Sequence, residues 1–397
     1  HCRPQISQPS AGQAVGQRSL GRLDVNNTAY RCPPRSFMAG LPITVGGHMH
    51  TQTLIIGGGL SGLSLAYRLQ QAKHGYHLVE ARQRRGGRIN SLDIAGTKFD
   101  LGPSWIWPGQ TRVAQLAADL GLHLFEQWSS GGQLYEQPSG DVQRNAGFMS
   151  LAGSLRIGGG TSALTDTLAG QLDPTRVQTG RVARAIQDGP AAVFSDGQTI
   201  TADRIVLCLP PRLTAQLSFA PALPQNAMSA LLNIATWMGA HAKFVAVYPT
   251  PFWRARNLSG DASSRRGPMV EIHDASPISG AFGALFGFIG VPADVRVQAG
   301  GALQTTAIDQ LANLFGPDAR APLATKLEDW SQDPLTATPA DATPPPGHPA
   351  YKMPDALQDM WNGKLIFAIT EMAPDNGGLI EGALAAAETA AAQILAR

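Results

Sequence analysis

The sequence contains little of what marks a disulfide-built or membrane-spanning protein. It has three cysteines in 397 residues, Cys2, Cys32 and Cys208, and none stands in a Cys-x-x-Cys pair. A disulfide framework is therefore excluded, and we expect a reducing compartment, the cytoplasm. No uncharged apolar run reaches the roughly 18 residues that a membrane helix needs. The composition thus predicts a protein outside the membrane.

Neither positive nor negative charge predominates in the sequence. The chain has 31 basic and 29 acidic residues, a formal net charge of +2, and only 15% charged residues. This balance indicates neither a nucleic-acid partner nor an anionic membrane surface. His241 and His273 lack the spacing of metal ligands, so no metal site is predicted. With 397 residues the chain can bury a large core, and we expect two domains.

Residues 1–48 differ in composition from the rest. They hold five arginines and one acid, with scattered Pro, Gly and Ser and no clear periodicity. An Arg-rich, acid-poor stretch is typical of a targeting leader. The alternative is an upstream extension, with the natural start at Met49 or Met38. We favour the extension and expect little packed structure there.

A glycine-rich turn after an apolar strand is the most informative feature. Residues 53–70 read TLIIGGGLSGLSLAYRLQ. Gly57 permits a tight turn, Gly59 lets the backbone approach a pyrophosphate, and Gly62 lets helix and strand pack closely. A helix starting near Leu60 directs its free N–H groups and positive dipole end toward phosphates. The stretch therefore predicts a dinucleotide site.

An acid and a second pair of glycines follow this turn. Glu80 lies 18 residues after Gly62, near the spacing of about 20 expected for the acid that holds a ribose hydroxyl. Gly86 and Gly87 indicate a second close approach to the cofactor, and Arg88 adds a guanidinium for its phosphates. A nicotinamide fold does not need this element, so FAD is favoured over NAD.

Two runs, LVEARQRRGGR and FDLGPSWI, resemble the flavin-containing amine oxidase family, which includes monoamine and polyamine oxidases. Desaturases and protoporphyrinogen oxidases share much of this pattern. The resemblance implies an α/β fold, with a Rossmann-like FAD-binding domain of the GR2 type and a smaller α+β mixed-sheet substrate domain. The expected FAD-binding segments are 50–115, 151–212 and 355–397, and the expected substrate-binding segments are 116–150 and 213–354.

The resemblance and the glycine motif together assign the cofactor contacts. The backbone at Val182 is implied to hold the adenine. The last helix is implied to point its N-terminus at the flavin pyrimidine ring, where its partial positive charge suits an anionic reduced flavin. The FAD is expected to be non-covalent. The assigned cofactor residues are Gly57, Gly59, Leu60, Ser61, Gly62, Glu80, Ala81, Gly87, Arg88, Gly102, Pro103, Ser104, Val182, Glu371 and Ile380.

Lys243 is the best single candidate for chemistry. It lies in the alternating run HAKFVAVYPTPFWR and is the only one of six lysines amid apolar residues. A buried lysine is costly unless it is paired or neutralised, so it tends to have a purpose. The run resembles the family's K-x-x-x-x-Y-x-x-P-F-W-R segment, whose lysine holds a water at flavin N5 and assists reaction with oxygen. The alternative is an edge-strand lysine whose stem reaches to water.

Three further residues are assigned to the substrate face. Trp330 opens a W-x-x-D-P element, and Tyr351 is the nearest match to the aromatic residue that follows it in the family, with His348 as a rival. In the closing G-Y-x-E-G segment Leu379 replaces the second aromatic residue. The two-ring cage around the amine nitrogen is therefore incomplete, which puts small arylalkylamine substrates in doubt.

The resemblance implies FAD-dependent oxidation of a neutral amine to an imine, with molecular oxygen as acceptor and release of hydrogen peroxide. The alternatives are a desaturase, an amino-acid oxidase with Arg112 as the one open candidate for gripping a carboxylate, or a non-catalytic flavin-binding protein. The expected partners are a small-molecule amine and oxygen, and a homodimer is considered because the substrate domain looks small. Since the sequence ends at Arg397, directly after its last helix, we expect no membrane anchor.

Overall fold

Two β-sheets organise the residues that the computed structural model describes, 49–147 and 151–396. The expectation of a leader or extension at residues 1–48 lies outside them. The strands are β1 (Met49–Ile56), β2 (Tyr76–Val79), β3 (Ser91–Ile94), β4 (Thr97–Asp100), β5 (Leu124–Glu126), β6 (Gly132–Glu136), β7 (Val142–Arg144), β8 (Leu155–Ile157), β9 (Val177–Gln178), β10 (Ala183–Gln187), β11 (Ala191–Phe194), β12 (Thr199–Leu207), β13 (Ser218–Ala220), β14 (Ala242–Tyr248), β15 (Leu258–Ser264), β16 (Met269–Asp274), β17 (Gly283–Ile289), β18 (Ala324–Asp329) and β19 (Leu365–Phe367).

The helices pack around these sheets. Among the described residues, none is long and apolar enough to cross a membrane. They are α1 (Leu60–Gln71), α2 (Thr111–Asp119), α3 (Ser162–Gln171), α4 (Pro211–Thr214), α5 (Gln225–Asn233), α6 (Phe252–Ala255), α7 (Ala293–Ala299), α8 (Ala302–Phe315) and α9 (Ile380–Leu395).

The first sheet has a parallel centre that begins with the predicted β1–α1–β2 unit. β1 pairs in parallel with β2 on one side and with β12 on the other, and β19 extends β12 in parallel. Leu54 and Ile55 of β1 are fully buried, and burial of such side chains stabilises the fold by roughly 1.5–3 kcal/mol each. A Cβ at Gly62 would lie 1.9 Å from the Gly57 oxygen, so only glycine permits this contact.

The second sheet has the order β18-β14-β17-β16-β15-β6-β7. The alternation around Lys243 suggests a strand with one exposed face, but every residue of β14 is buried. The physical reason is that both faces are covered: Phe244 packs with α8 residues such as Leu311, while Val245 packs with Phe99 and Leu101. β14 is therefore an internal strand between β17 and β18, and the edge-strand alternative is wrong.

The predicted α/β fold class with a second mixed sheet is confirmed. The Asp196-Gly197 turn joins the antiparallel strands β11 and β12, with Gly197 at φ +79°. In the closing block, β19 ends at Phe367 and the last helix begins at Ile380.

Candidate active site

A cavity of about 840 Å³ runs between the two sheets, at the upper end of the ~300–1,000 Å³ of ligand pockets. Its walls come from segments far apart in the sequence. Three assigned residues, Gly62, Tyr351 and Glu371, are absent from the lining among the described residues. The assigned residues in the lining are Gly57, Gly59, Leu60, Ser61, Glu80, Ala81, Gly87, Arg88, Gly102, Pro103, Ser104, Val182, Lys243, Trp330, Leu379 and Ile380.

The first glycine turn keeps one side of this cavity open. A Cβ on Gly57 (φ +112°) would come within 2.6 Å of the Cys208 oxygen, so the turn itself needs glycine. At Gly59 the nearest atom to an added Cβ, apart from its chain neighbours, is the Cα of Gly87 at 3.9 Å. The Gly86 N–H also donates to the Gly58 oxygen at 2.8 Å. The two glycine segments are thus held together while space beside Gly59 remains for a ligand.

Glu80 is fixed at the end of β2. The residue is 3% exposed, and its carboxylate accepts hydrogen bonds from the backbone N–H groups of Gly58, at 2.6 Å, and Arg82, at 2.8 Å. Because these donors hold both oxygens, the carboxylate has a defined orientation at the cavity wall. This placement suits an acceptor for ribose hydroxyls.

Arg88 lines the cavity but directs its guanidinium to Glu371. The two side chains form a bidentate ion pair, and Glu371 is fully buried. Burial opposes the charge of Arg88, yet the Glu371 carboxylate outweighs it and raises the arginine pKa. Glu371 also accepts a hydrogen bond from the Trp237 N–H at 3.2 Å. The pair therefore ties three chain segments together at one end of the cavity.

Lys243 points into the cavity from the start of β14. The residue is 3% exposed, and its Nζ donates to the Gly102 oxygen at 2.8 Å and to Ser104 Oγ at 2.6 Å. The same atom lies 4.2 Å from the ring centroid of Phe286. Burial lowers its pKa to about 7, although Asp100 partly opposes the shift. Lys243 is thus an amine shielded from bulk water, with a pKa near neutral pH.

Of the other residues assigned to the substrate face, Trp330 and Leu379 line the cavity and Tyr351 does not. Trp330 lines the cavity and donates its indole N–H to the Leu101 oxygen at 3.2 Å. Leu379 lines it as the N-cap of α9, and no side chain of the described residues caps that helix. Tyr351 is 8% exposed and donates its hydroxyl to the Ala235 oxygen at 2.8 Å. Its ring lies against Gly378, which lines the cavity, and Tyr351 itself is not among the lining residues of the described chain.

Several lining residues were missed by sequence reasoning. Trp237 and Met238 precede β14 in a stretch without a motif, and Glu271 is a lone acid on β16. His241 was considered only as a metal ligand, yet it lines the cavity. One signal in the sequence points to this stretch: Trp237 lies shortly before Lys243.

Glu271 is an acidic residue of the cavity wall. Its carboxylate bonds His273 Nε2 at 2.8 Å, while His273 Nδ1 bonds Asp261 at 2.7 Å. Burial opposes the charge of His273, but its bonds to the two carboxylates outweigh burial and raise the pKa. Glu271 thus places a carboxyl group in the cavity wall, at the end of a hydrogen-bonded chain that runs through His273 to Asp261.

Arg112, the open candidate for gripping a substrate carboxylate, is committed elsewhere. It donates to Glu388 at 2.7 Å and to Glu381 at 3.3 Å, and it is absent from the lining among the described residues. In residues 49–147 and 151–396 there is also no group of three His, Cys, Asp or Glu side chains that could hold a metal. The geometry thus offers no carboxylate clamp at Arg112.

The cavity fits a flavin dinucleotide on three counts. The space beside Gly59 is free for a pyrophosphate, Glu80 holds its carboxylate in the wall of the same cavity, and α1 and α9 both begin at the lining. Neither N-terminus is capped by a side chain of the described residues, so both offer N–H groups.

Comparison with known proteins agrees with this fit. The family model "Flavin containing amine oxidoreductase" matches residues 60–147 and 135–395. Putrescine oxidase from Kocuria rosea is 22% identical and aligns over 86% of this chain and 94% of its own. Flavin-containing amine oxidase B from Mus musculus is 20% identical, over 87% and 86%. The structure of cyclohexylamine oxidase from Brevibacterium oxydans superposes with a TM-score of 0.74 at 21% identity, covering 87% of this chain and all of that one. The chain therefore belongs to the flavin-containing amine oxidoreductases, enzymes that bind a flavin and oxidise amines.

Proposed function

We propose that this enzyme holds FAD non-covalently and oxidises a neutral amine to an imine, with oxygen as acceptor and hydrogen peroxide as product. The bound flavin supplies the two-electron acceptor that returns its electrons to oxygen. Lys243 carries the proposal: it is 3% exposed and stands in the same cavity as the glycine turn at Gly59. A desaturase or a binding module has no need of such a lysine.

The proposed roles of the chain's residues follow from their positions. The turn at Gly57–Gly62 and Glu80 bind the dinucleotide, and the N-terminus of α9 offers N–H groups to the ring system. Trp105, Phe288 and Leu379 give the substrate end apolar walls that exclude water and favour an uncharged amine. Lys243 holds a proton at Nζ near neutral pH, where a positive charge can stabilise negative charge on oxygen.

We propose the predicted division of the chain on the same grounds. Segments 50–115, 151–212 and 355–397 contain most strands of the first sheet. Segment 213–354 contains five strands of the second sheet, and segment 116–150 contains its strands β6 and β7. These segments serve as cofactor and substrate domains.

The amine reaction is tested with purified protein and an amine panel. We expect a yellow protein whose visible flavin band bleaches without oxygen on adding some amines, and peroxide in air with the same amines. The panel includes alkylamines, arylalkylamines and a diamine, because Glu271 places a carboxyl group in the cavity lining and a relative is a putrescine oxidase. A flavin band that no amine bleaches would favour the binding module.

A further prediction concerns the attachment of the cofactor. Cys208 is the cysteine that lines the cavity among the described residues, and burial raises its thiol pKa to about 12. The nucleophilic thiolate is therefore scarce. We expect acid precipitation to release all flavin into the supernatant, in the wild type and in Cys208→Ser alike. Yellow colour in the wild-type pellet that is lost in C208S would contradict this.

A further inference from the structure

Trp237 is an aromatic side chain of the cavity that belongs to no motif. It is half-buried and lines the cavity, together with Met238, His241 and Lys243 of the same short stretch. A single segment before and into β14 thus carries both a large ring and the buried lysine. Trp237 lines the same cavity as Trp330 and Leu379, two of the residues assigned to the substrate face.

Trp237 lies close to the N-terminus of α9. A Cβ added at Gly378 would lie 2.7 Å from the Trp237 Cβ, and Leu379 is the next residue. Leu379 occupies the place where the family pattern has its second aromatic residue. Trp237 therefore brings a ring beside the position where the sequence lacks one.

Backbone and ring contacts hold Trp237 in place. Its N–H donates to Glu371 and its carbonyl oxygen accepts from Arg88, each at 3.2 Å. The indole meets the imidazole of His348 edge to face, with ring centroids 4.6 Å apart at 71°. A ring held through its backbone and by one neighbouring imidazole loses little freedom when a ligand packs on it.

Tyr351 stands behind this arrangement. Its ring contacts His348 at 5.6 Å between centroids, and its hydroxyl is bonded to the Ala235 oxygen. Of these three residues, Trp237 is in the cavity lining, whereas His348 and Tyr351 are absent from the lining among the described residues. The tyrosine supports the wall and does not form it.

We propose that Trp237 is the aromatic wall of the substrate site and that it selects amines with an aryl group on the carbon chain. This rests on the proposed amine oxidation. Packing of an aryl group on the indole adds to simple burial, and its loss corresponds to about a tenfold change in specificity. The missing ring of the motif is thus replaced from another segment.

The test compares kcat/KM for benzylamine and butylamine in the flavin-loaded enzyme. We expect Trp237→Leu to lower the benzylamine-to-butylamine ratio about tenfold, and Trp237→Phe, which keeps a ring and guards against misfolding, to stay within about threefold of the wild type. Trp128→Leu is the matched control, because Trp128 is 37% exposed and lies outside the lining.

The outcomes separate the two claims. A wild-type enzyme that bleaches with no amine overturns the proposed function and this inference together. A wild type that oxidises amines, with an unchanged ratio in Trp237→Leu, overturns the inference alone. So does an enzyme that oxidises butylamine and rejects benzylamine. A ratio that falls equally in Trp128→Leu would also overturn it, since the effect would then not depend on the cavity.

Discussion

Replacing Gly59 by Leu is expected to give a folded, colourless protein. An added Cβ meets no protein atom within 3.9 Å apart from its chain neighbours. Gly59 has φ −73°, which any residue adopts. The larger side chain therefore enters the space left for the pyrophosphate. Overpacking of this kind costs about 1–3 kcal/mol, so we expect FAD affinity to fall at least tenfold. Flavin content after gel filtration measures the effect.

Gly170→Leu is the matched control for this substitution. Gly170 lies within helix α3, and an added Cβ there meets nothing within 4 Å. Its flavin content should equal that of the wild type. Circular dichroism of the two variants without cofactor checks that Gly59→Leu is folded. Normal flavin content in Gly59→Leu would remove the glycine turn from the binding site.

Replacing Lys243 by Met should slow the reaction of the reduced enzyme with oxygen by about 100-fold. The substitution keeps an unbranched apolar stem, one heavy atom shorter, but removes the positive charge beside Gly102 and Ser104. Loss of one preorganised electrostatic contact typically costs 10²–10³-fold in rate. Stopped-flow mixing of anaerobically reduced enzyme with oxygenated buffer measures this step apart from amine oxidation. An unchanged rate would defeat the assigned role.

The same step should depend on pH through Lys243. Because burial lowers the lysine pKa to about 7, the charged form predominates below pH 7 and is lost above it. The wild-type rate should fall as pH rises through about 7, and Lys243→Met should show no such step. Lys326→Met is the control, since Lys326 is exposed on the adjacent strand β18. It should keep both the rate and its pH dependence.

The sequence predicts best those parts of the site that a single short segment forms. The glycine turn, its helix from Leu60 and the acid at Glu80 are local, because a few neighbouring residues define the turn and the strand end. Lys243 was visible because a charge amid apolar residues is costly. Trp237 was not visible, since its place depends on Gly378 and Glu371, more than 130 residues away. The full burial of β14 was also hidden, because the layer over its second face comes from Phe99 and Leu101.

The pairing of β19 with β12 and the packing of α9 against α1 have a consequence for biosynthesis. The walls around Gly59 and Leu379 come from opposite ends of the described chain. The pocket can therefore close only after α9 has been synthesised and has emerged from the ribosome. Until then the nascent polypeptide exposes the apolar faces of β1 and α1, which makes it prone to aggregate. Flavin capture should therefore follow the synthesis of α9 rather than that of the glycine turn.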